Sequence, residues 1–137
     1  MDRIKGKGPS ILLVEDEPLI GAMAADWLTD RGFKVRTATS AHEALLHLQS
    51  SAPLDALFTD IDLGGEVDGS ALARVARQLR PGIPVVYTSG RWKTMDELHP
   101  VPGGHFVPKP YDPDSVCELL KRLIAEPVGC TARFTAA

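Results

Sequence analysis

Apolar residues in this chain fall into short continuous runs separated by longer amphipathic stretches, and the two kinds of segment alternate along its length. Residues 11–14 form an unbroken apolar run, the pattern of a strand covered on both faces. Pro18 suits the first turn of a helix, which Ile20, Met23, Ala24, Trp27 and Leu28 carry to a stop at Gly32. A second strand follows over 33–38. Ser40 with Glu43 three residues on makes a capping box, opening a helix that carries Ala44, Leu45 and Leu48.

The third strand is read at 56–59 and the next helix at 70–79, with Leu72, Val75, Ala76 and Leu79 on one face. Pro84 introduces a fourth strand over 85–88, and a short fifth fits 105–107. A last helix starts near Asp112 and carries Val116, Leu119, Leu120, Leu123 and Ile124. Between the last two strands, residues 90–104 hold Gly90, Pro100, Pro102, Gly103 and Gly104 and support at most a short helix near 93–98. Residues 1–8 read as a flexible N-terminal segment and 127–137 as a C-terminal tail, leaving one domain over 9–126.

Strands alternating with helices argue for an α/β fold whose crossovers are right-handed, with helices on both faces of the sheet. The expectation is a flavodoxin-like, doubly wound, five-stranded parallel sheet in the order 2-1-3-4-5. Ligands bind such sheets beyond the carboxyl ends of the strands, at the switch point between strands 1 and 3. The residues placed there are chemically pointed. Glu15, Asp16 and Glu17 follow the first strand, and Asp60 ends the third with Asp62 just beyond. Thr88, Ser89 and Gly90 end the fourth, and Pro108, Lys109 and Pro110 end the fifth.

Glu17 is accounted for as a helix cap. Asp16 and Asp60 are not, because each follows an apolar strand directly. Clustered carboxylates raise one another's pKa and persist mainly where a cation or proton offsets them. An all-oxygen donor set of this density suits Mg²⁺. Lys109 supplies a point charge for a phosphoryl oxygen and Ser89 a hydroxyl donor.

Composition narrows the field. The chain has 137 residues, 44% of them hydrophobic, enough for one domain with a buried core. Its net charge is −3 and its Lys and Arg residues are scattered, which argues against nucleic acid as a partner. No run approaches the ~20 apolar residues of a membrane span, so a cytoplasmic protein without a membrane partner is expected. Cys117 and Cys130 stand in no CxxC or metal-ligand spacing and read as reduced bystanders. His42 and His47 flank Glu43 as a near miss of the HExxH zinc motif; five apart, they point to different faces and read as surface residues. Trp27 and Met23 read as core, and Arg91 and Trp92 as candidates for contact with a partner.

Five pieces in this order and spacing, ILLVEDE (11–17), LFTDIDL (57–63), VDG (67–69), VVYTSG (85–90) and FVPKPY (106–111), resemble the receiver domain of two-component response regulators. The resemblance covers about residues 9–126 and implies a single-domain response regulator. It implies that Asp60 is the phosphoacceptor, with Lys109 and Ser89 completing the catalytic set. Mg²⁺ would be held by Asp16, Asp60, the backbone carbonyl of Asp62 and, through water, Glu15. Ser89 and Phe106 would be the switch residues, and the proline after Lys109 would be cis. A histidine kinase or histidine phosphotransfer protein would donate the phosphoryl group and an unknown downstream protein would read it; a homodimer stays open. No separate substrate turnover is implied, only the chain's own phosphorylation and dephosphorylation.

The sequence departs from the family's pattern in three places. Leu63-Gly64-Gly65-Glu66 stands where Met-Pro is common, with one extra residue before Asp68-Gly69, which points to an altered lifetime of the phosphorylated state. Phe106 lacks the hydroxyl of a tyrosine. Residues 90–104 are broken by proline and glycine. Two other readings are carried. Asp60 and Asp62 resemble the Asp-x-Asp motif of haloacid-dehalogenase-type phosphatases, as nucleophile and general acid with Mg²⁺. The chain also fits a receiver-like interaction module that is never phosphorylated.

Overall fold

The short apolar runs are the strands of one parallel sheet in the order β2-β1-β3-β4-β5, as expected from the alternation. In the computed structural model, residues 8–65, 67–90 and 99–126 are described. The strands are β1 (Ser10–Val14), β2 (Lys34–Ala38), β3 (Ala56–Asp60), β4 (Val85–Ser89) and β5 (His105–Pro108). The helices are α1 (Pro18–Asp30), α2 (Ala41–Gln49), α3 (Gly69–Leu79) and α4 (Pro113–Ala125). The expected helix near 93–98, Arg91, Trp92, Glu66, Cys130 and the two terminal segments apart from Gly8 lie outside the described residues.

Two apolar layers sandwich the sheet. On one face Leu12, Val14, Leu57, Val85 and Tyr87 meet Ala41, Ala44 and Leu48 of α2 and Leu72, Ala73 and Ala76 of α3. On the other, Ile11, Leu13, Phe58 and Val86 meet Ala24 and Leu28 of α1 and Val116, Cys117 and Leu120 of α4. Trp27 joins this second layer, its ring 6.3 Å from Phe58 and 5.7 Å from Tyr111. The reading of Trp27 as core is borne out.

Met23 is a correction. It is 59% exposed and Ile20 40%, because α1 turns only the narrow stripe of Gly21, Ala24 and Leu28 toward the sheet. Leu79, expected on the inner face of α3, is 40% exposed at the end of that helix. The caps also differ in detail. Glu17 stands at the N-cap of α1, but its side chain makes no capping bond. Ser40 does cap α2, accepting from the Glu43 N–H at 3.1 Å, while the Glu43 carboxylate accepts from the Thr39 N–H at 2.6 Å instead of completing the box at Ser40.

Registry fixes what meets at the sheet's carboxyl edge. Val14 lies opposite Ala38 and Thr59, Asp60 opposite Thr88, and Ser89 opposite Pro108. Strands that end level with one another bring their following residues to one place.

Candidate functional site

Glu15 leaves the end of β1, its N–H donating to Ala38 O at 3.0 Å, and so stays in line with the sheet. Asp60 is the last residue of β3, and the Ile61 N–H donates to Thr88 O at 2.8 Å, extending the β3–β4 ladder just past it. Lys109 follows β5, held by its N–H to Ser89 O at 2.9 Å. The Lys109–Pro110 peptide is cis.

These placements let one ammonium serve two carboxylates. Lys109 Nζ lies 3.0 Å from Asp60 Oδ2 and 3.1 Å from Glu15 Oε1. Both acids are nearly enclosed, at 6% and 5% exposure, so the pairing acts at lower effective dielectric than a surface ion pair. Burial pushes the Glu15 carboxyl up, and the charge of Asp60 adds to this, against the hydrogen bonds from Glu17 N–H and Lys109. For Lys109, burial works against the charged form, yet the hydrogen bonds to Asp60 and Glu15 outweigh it and hold its pKa above the usual lysine value.

Asp16 completes an acidic group: one carboxylate oxygen each from Glu15, Asp16 and Asp60 lies within 4.8 Å of the others. It is the metal-sized cluster of such residues found among the described residues, and its donors are all hard oxygens, which fit a small divalent cation. The loop after β3 lies close over it. Gly64 has φ +72°, and a Cβ there would come 3.3 Å from Asp16 Oδ2. Gly69 opens α3 against the Asp60 carbonyl, close enough that a Cβ would collide with it. The glycine of the VDG motif is thereby explained by backbone contact with residue 60.

Asp62 makes two hydrogen bonds within the site. Its N–H donates to Asp60 Oδ1 at 3.0 Å, and its carboxylate, Oδ2, accepts from the Ser89 hydroxyl at 2.7 Å. The sequence points to Asp62 through its backbone carbonyl or as a general acid; the bond to Ser89 spans 27 positions and carries no local signal. Ser89 is fully buried. Phe106 is half-buried, packed on the α2–α3 side of the sheet and level with Tyr87. The structure therefore gathers Glu15, Asp16, Asp60, Asp62, Ser89 and Lys109 at one edge, with Phe106 on β5 beside them.

Comparison with known proteins agrees with this arrangement. The response regulator receiver domain family matches residues 11–121. The nitrogen assimilation regulatory protein NtrX of Azorhizobium caulinodans is 32% identical over 117 residues, 83% of this chain and 26% of that protein. Response regulator Rre1 of Synechocystis is 35% identical over 121 residues, 85% of this chain and 52% of that protein. The chain thus spans about a quarter to half of these relatives. A response regulator receiver protein from Sinorhizobium medicae superposes with TM-score 0.81 at 32% identity, covering 87% of this chain and 96% of that one. The receiver domain of hybrid histidine kinase CckA gives TM-score 0.71 at 34% identity, covering 84% and 98%. Among the described residues no helix is long and apolar enough to cross a membrane. Fold, acidic edge and family match together place this chain among the response regulator receiver domains of two-component signalling.

Proposed function

We propose that the chain accepts a phosphoryl group on Asp60 from the phosphohistidine of a histidine kinase or phosphotransfer protein. The observation that carries this is the Lys109 ammonium set between the Asp60 and Glu15 carboxylates at the carboxyl edge of the sheet. An Asp60 carboxylate oxygen attacks phosphorus and the phosphorus–nitrogen bond breaks. The electron pair returns to the imidazole, which takes a proton from solvent. An acyl phosphate remains on Asp60.

Little proton transfer is asked of other side chains, since positioning and charge neutralisation supply most of such catalysis. Lys109 offsets charge on the transferred oxygens. Asp16 and Asp60, the backbone carbonyl of Asp62 and, through water, Glu15 would hold Mg²⁺, which when bound neutralises charge on the phosphoryl oxygens. Ser89 then turns its hydroxyl to a phosphoryl oxygen, and Phe106 moves with it, a two-state change biased by a local charge. A downstream protein reads that change. No other substrate is turned over on this reading, and the cytoplasm, where ATP-dependent kinases act, is its setting.

Mass spectrometry after incubation with acetyl phosphate and Mg²⁺ tests the assignment. The native chain gains one phosphate and Asp60→Ala gains none. Equal uptake by both, or none by a folded native chain, overturns it.

A further inference from the structure

Residue 62 touches both working parts of the site. Its N–H tethers it to Asp60 Oδ1 at 3.0 Å, and its carboxylate takes the Ser89 hydroxyl at 2.7 Å. A serine hydroxyl has one proton to donate. It cannot go to the Asp62 carboxylate and to a phosphoryl oxygen on Asp60 at the same time. Ser89 is fully buried, so its hydroxyl is not exchanged freely with bulk water; one ordered acceptor must be traded for another.

We propose that the Asp62 carboxylate is a brake on the switch: it holds the Ser89 hydroxyl in the unphosphorylated state and must release it before Ser89 binds the phosphoryl group. This rests on the reading of Asp60 as phosphoacceptor and Ser89 as its switch hydroxyl. The bond runs from a hydroxyl to a carboxylate oxygen at 2.7 Å, a well-formed O–H···O hydrogen bond. Its release is set against every phosphoryl group that arrives. Asp62 is a positioning residue here, acting through Ser89. The tether to Asp60 is through the backbone N–H, which Asp62→Ala and Asp62→Asn both keep.

Beryllofluoride, a phosphoryl mimic that binds carboxylates, provides the test. It is titrated with Mg²⁺ into the full chain while the Ser89 and Phe106 amide signals are followed by NMR, whose spectra also show that each variant is folded. Asp62→Ala reaches half-saturation at about tenfold lower beryllofluoride than the native chain, the scale of one hydrogen bond. Asp62→Asn falls between them. In a Ser89→Ala background the gain from Asp62→Ala shrinks, because no hydroxyl is left to hold. An unchanged or higher midpoint in Asp62→Ala overturns the brake, as does a gain of the same size without the Ser89 hydroxyl, which would trace to charge alone. Saturation of the native chain but not of Asp60→Ala makes such a result count against the brake by itself. Failure of the native chain to bind, or equal binding by Asp60→Ala, overturns the phosphoacceptor reading and the brake together.

Discussion

The Val101 N–H donates to the Tyr87 hydroxyl at 2.9 Å, tying the segment that returns to β5 onto a strand in the interior of the sheet. Tyr87 is 0% exposed and Val101 6%. Gly104 closes the same turn, its N–H on Val101 O at 2.9 Å, and a Cβ there would come 2.8 Å from the Tyr87 ring. Burial raises the Tyr87 pKa, so the phenol stays protonated and accepts through its lone pair. Phe106 lies level with Tyr87 on the neighbouring strand, so the connector, the phenol and the proposed switch aromatic form one packed group.

Tyr87→Phe keeps the ring and removes the acceptor, leaving a buried N–H unsatisfied. The expected loss is about 1–3 kcal/mol. Urea denaturation checks it: the midpoint falls while the slope is unchanged, since the surface exposed on unfolding is the same. An unchanged midpoint means the bond contributes nothing.

Gly69→Ala is a test whose sign decides. Alanine in a helix is ordinarily favoured over glycine by about 0.5–1 kcal/mol. At residue 69, however, the added carbon would overlap the Asp60 carbonyl, a backbone atom that no rotamer change moves. Destabilisation of about 1–3 kcal/mol is expected, the scale of overpacking in a core. Phosphate uptake from acetyl phosphate falls with it, because Asp60 must shift. A variant as stable as the native chain shows that α3 enters at a greater distance than observed.

What the sequence made legible follows from what it encodes locally. The run at 11–14 reads as strand because both faces are covered, with Ile11, Leu12 and Val14 fully buried. Asp60 and Lys109 stand out because one ends an apolar strand and the other directly follows one, at the edge where such sheets bind ligands. Helix faces were harder. In α1 the buried stripe is small residues, Gly21 and Ala24, with Leu28, while the larger Leu19, Ile20 and Met23 face solvent, so hydrophobicity pointed to the wrong side. The Asp62–Ser89 bond joins loops after two different strands, and no period or cap rule carries that information.

Lys109→Met removes the cation between two nearly buried carboxylates. Breaking a buried pair by deleting one partner costs about 3–5 kcal/mol, and the lower end applies because the Lys109 side chain keeps 23% of its exposure. Thermal or urea denaturation near neutral pH reads the loss. Adding Glu15→Gln recovers part of it, since the orphaned charge is then halved. No recovery would show that Glu15 is not destabilised by losing its ammonium partner.

His105 sets a pH dependence of stability. Burial, with Arg122 nearby adding to it, holds this imidazole below the ordinary histidine value of 6.5. The unfolded chain therefore binds a proton more readily than the folded one, and stability rises with pH across the window between the two values. The contribution is complete above 6.5 and is lost as pH falls through the folded value. Glu15 acts in the opposite sense: its carboxyl is raised above 4.5, so its contribution is present below 4.5 and declines as pH rises through the folded value. A single stability curve mixes the two, and His105→Gln separates them. The native chain is expected to lose more stability than this variant between roughly pH 7.5 and pH 5.5, where an ordinary histidine titrates. NMR titration gives the direct check, and a His105 imidazole that titrates at or above 6.5 removes the basis for the difference.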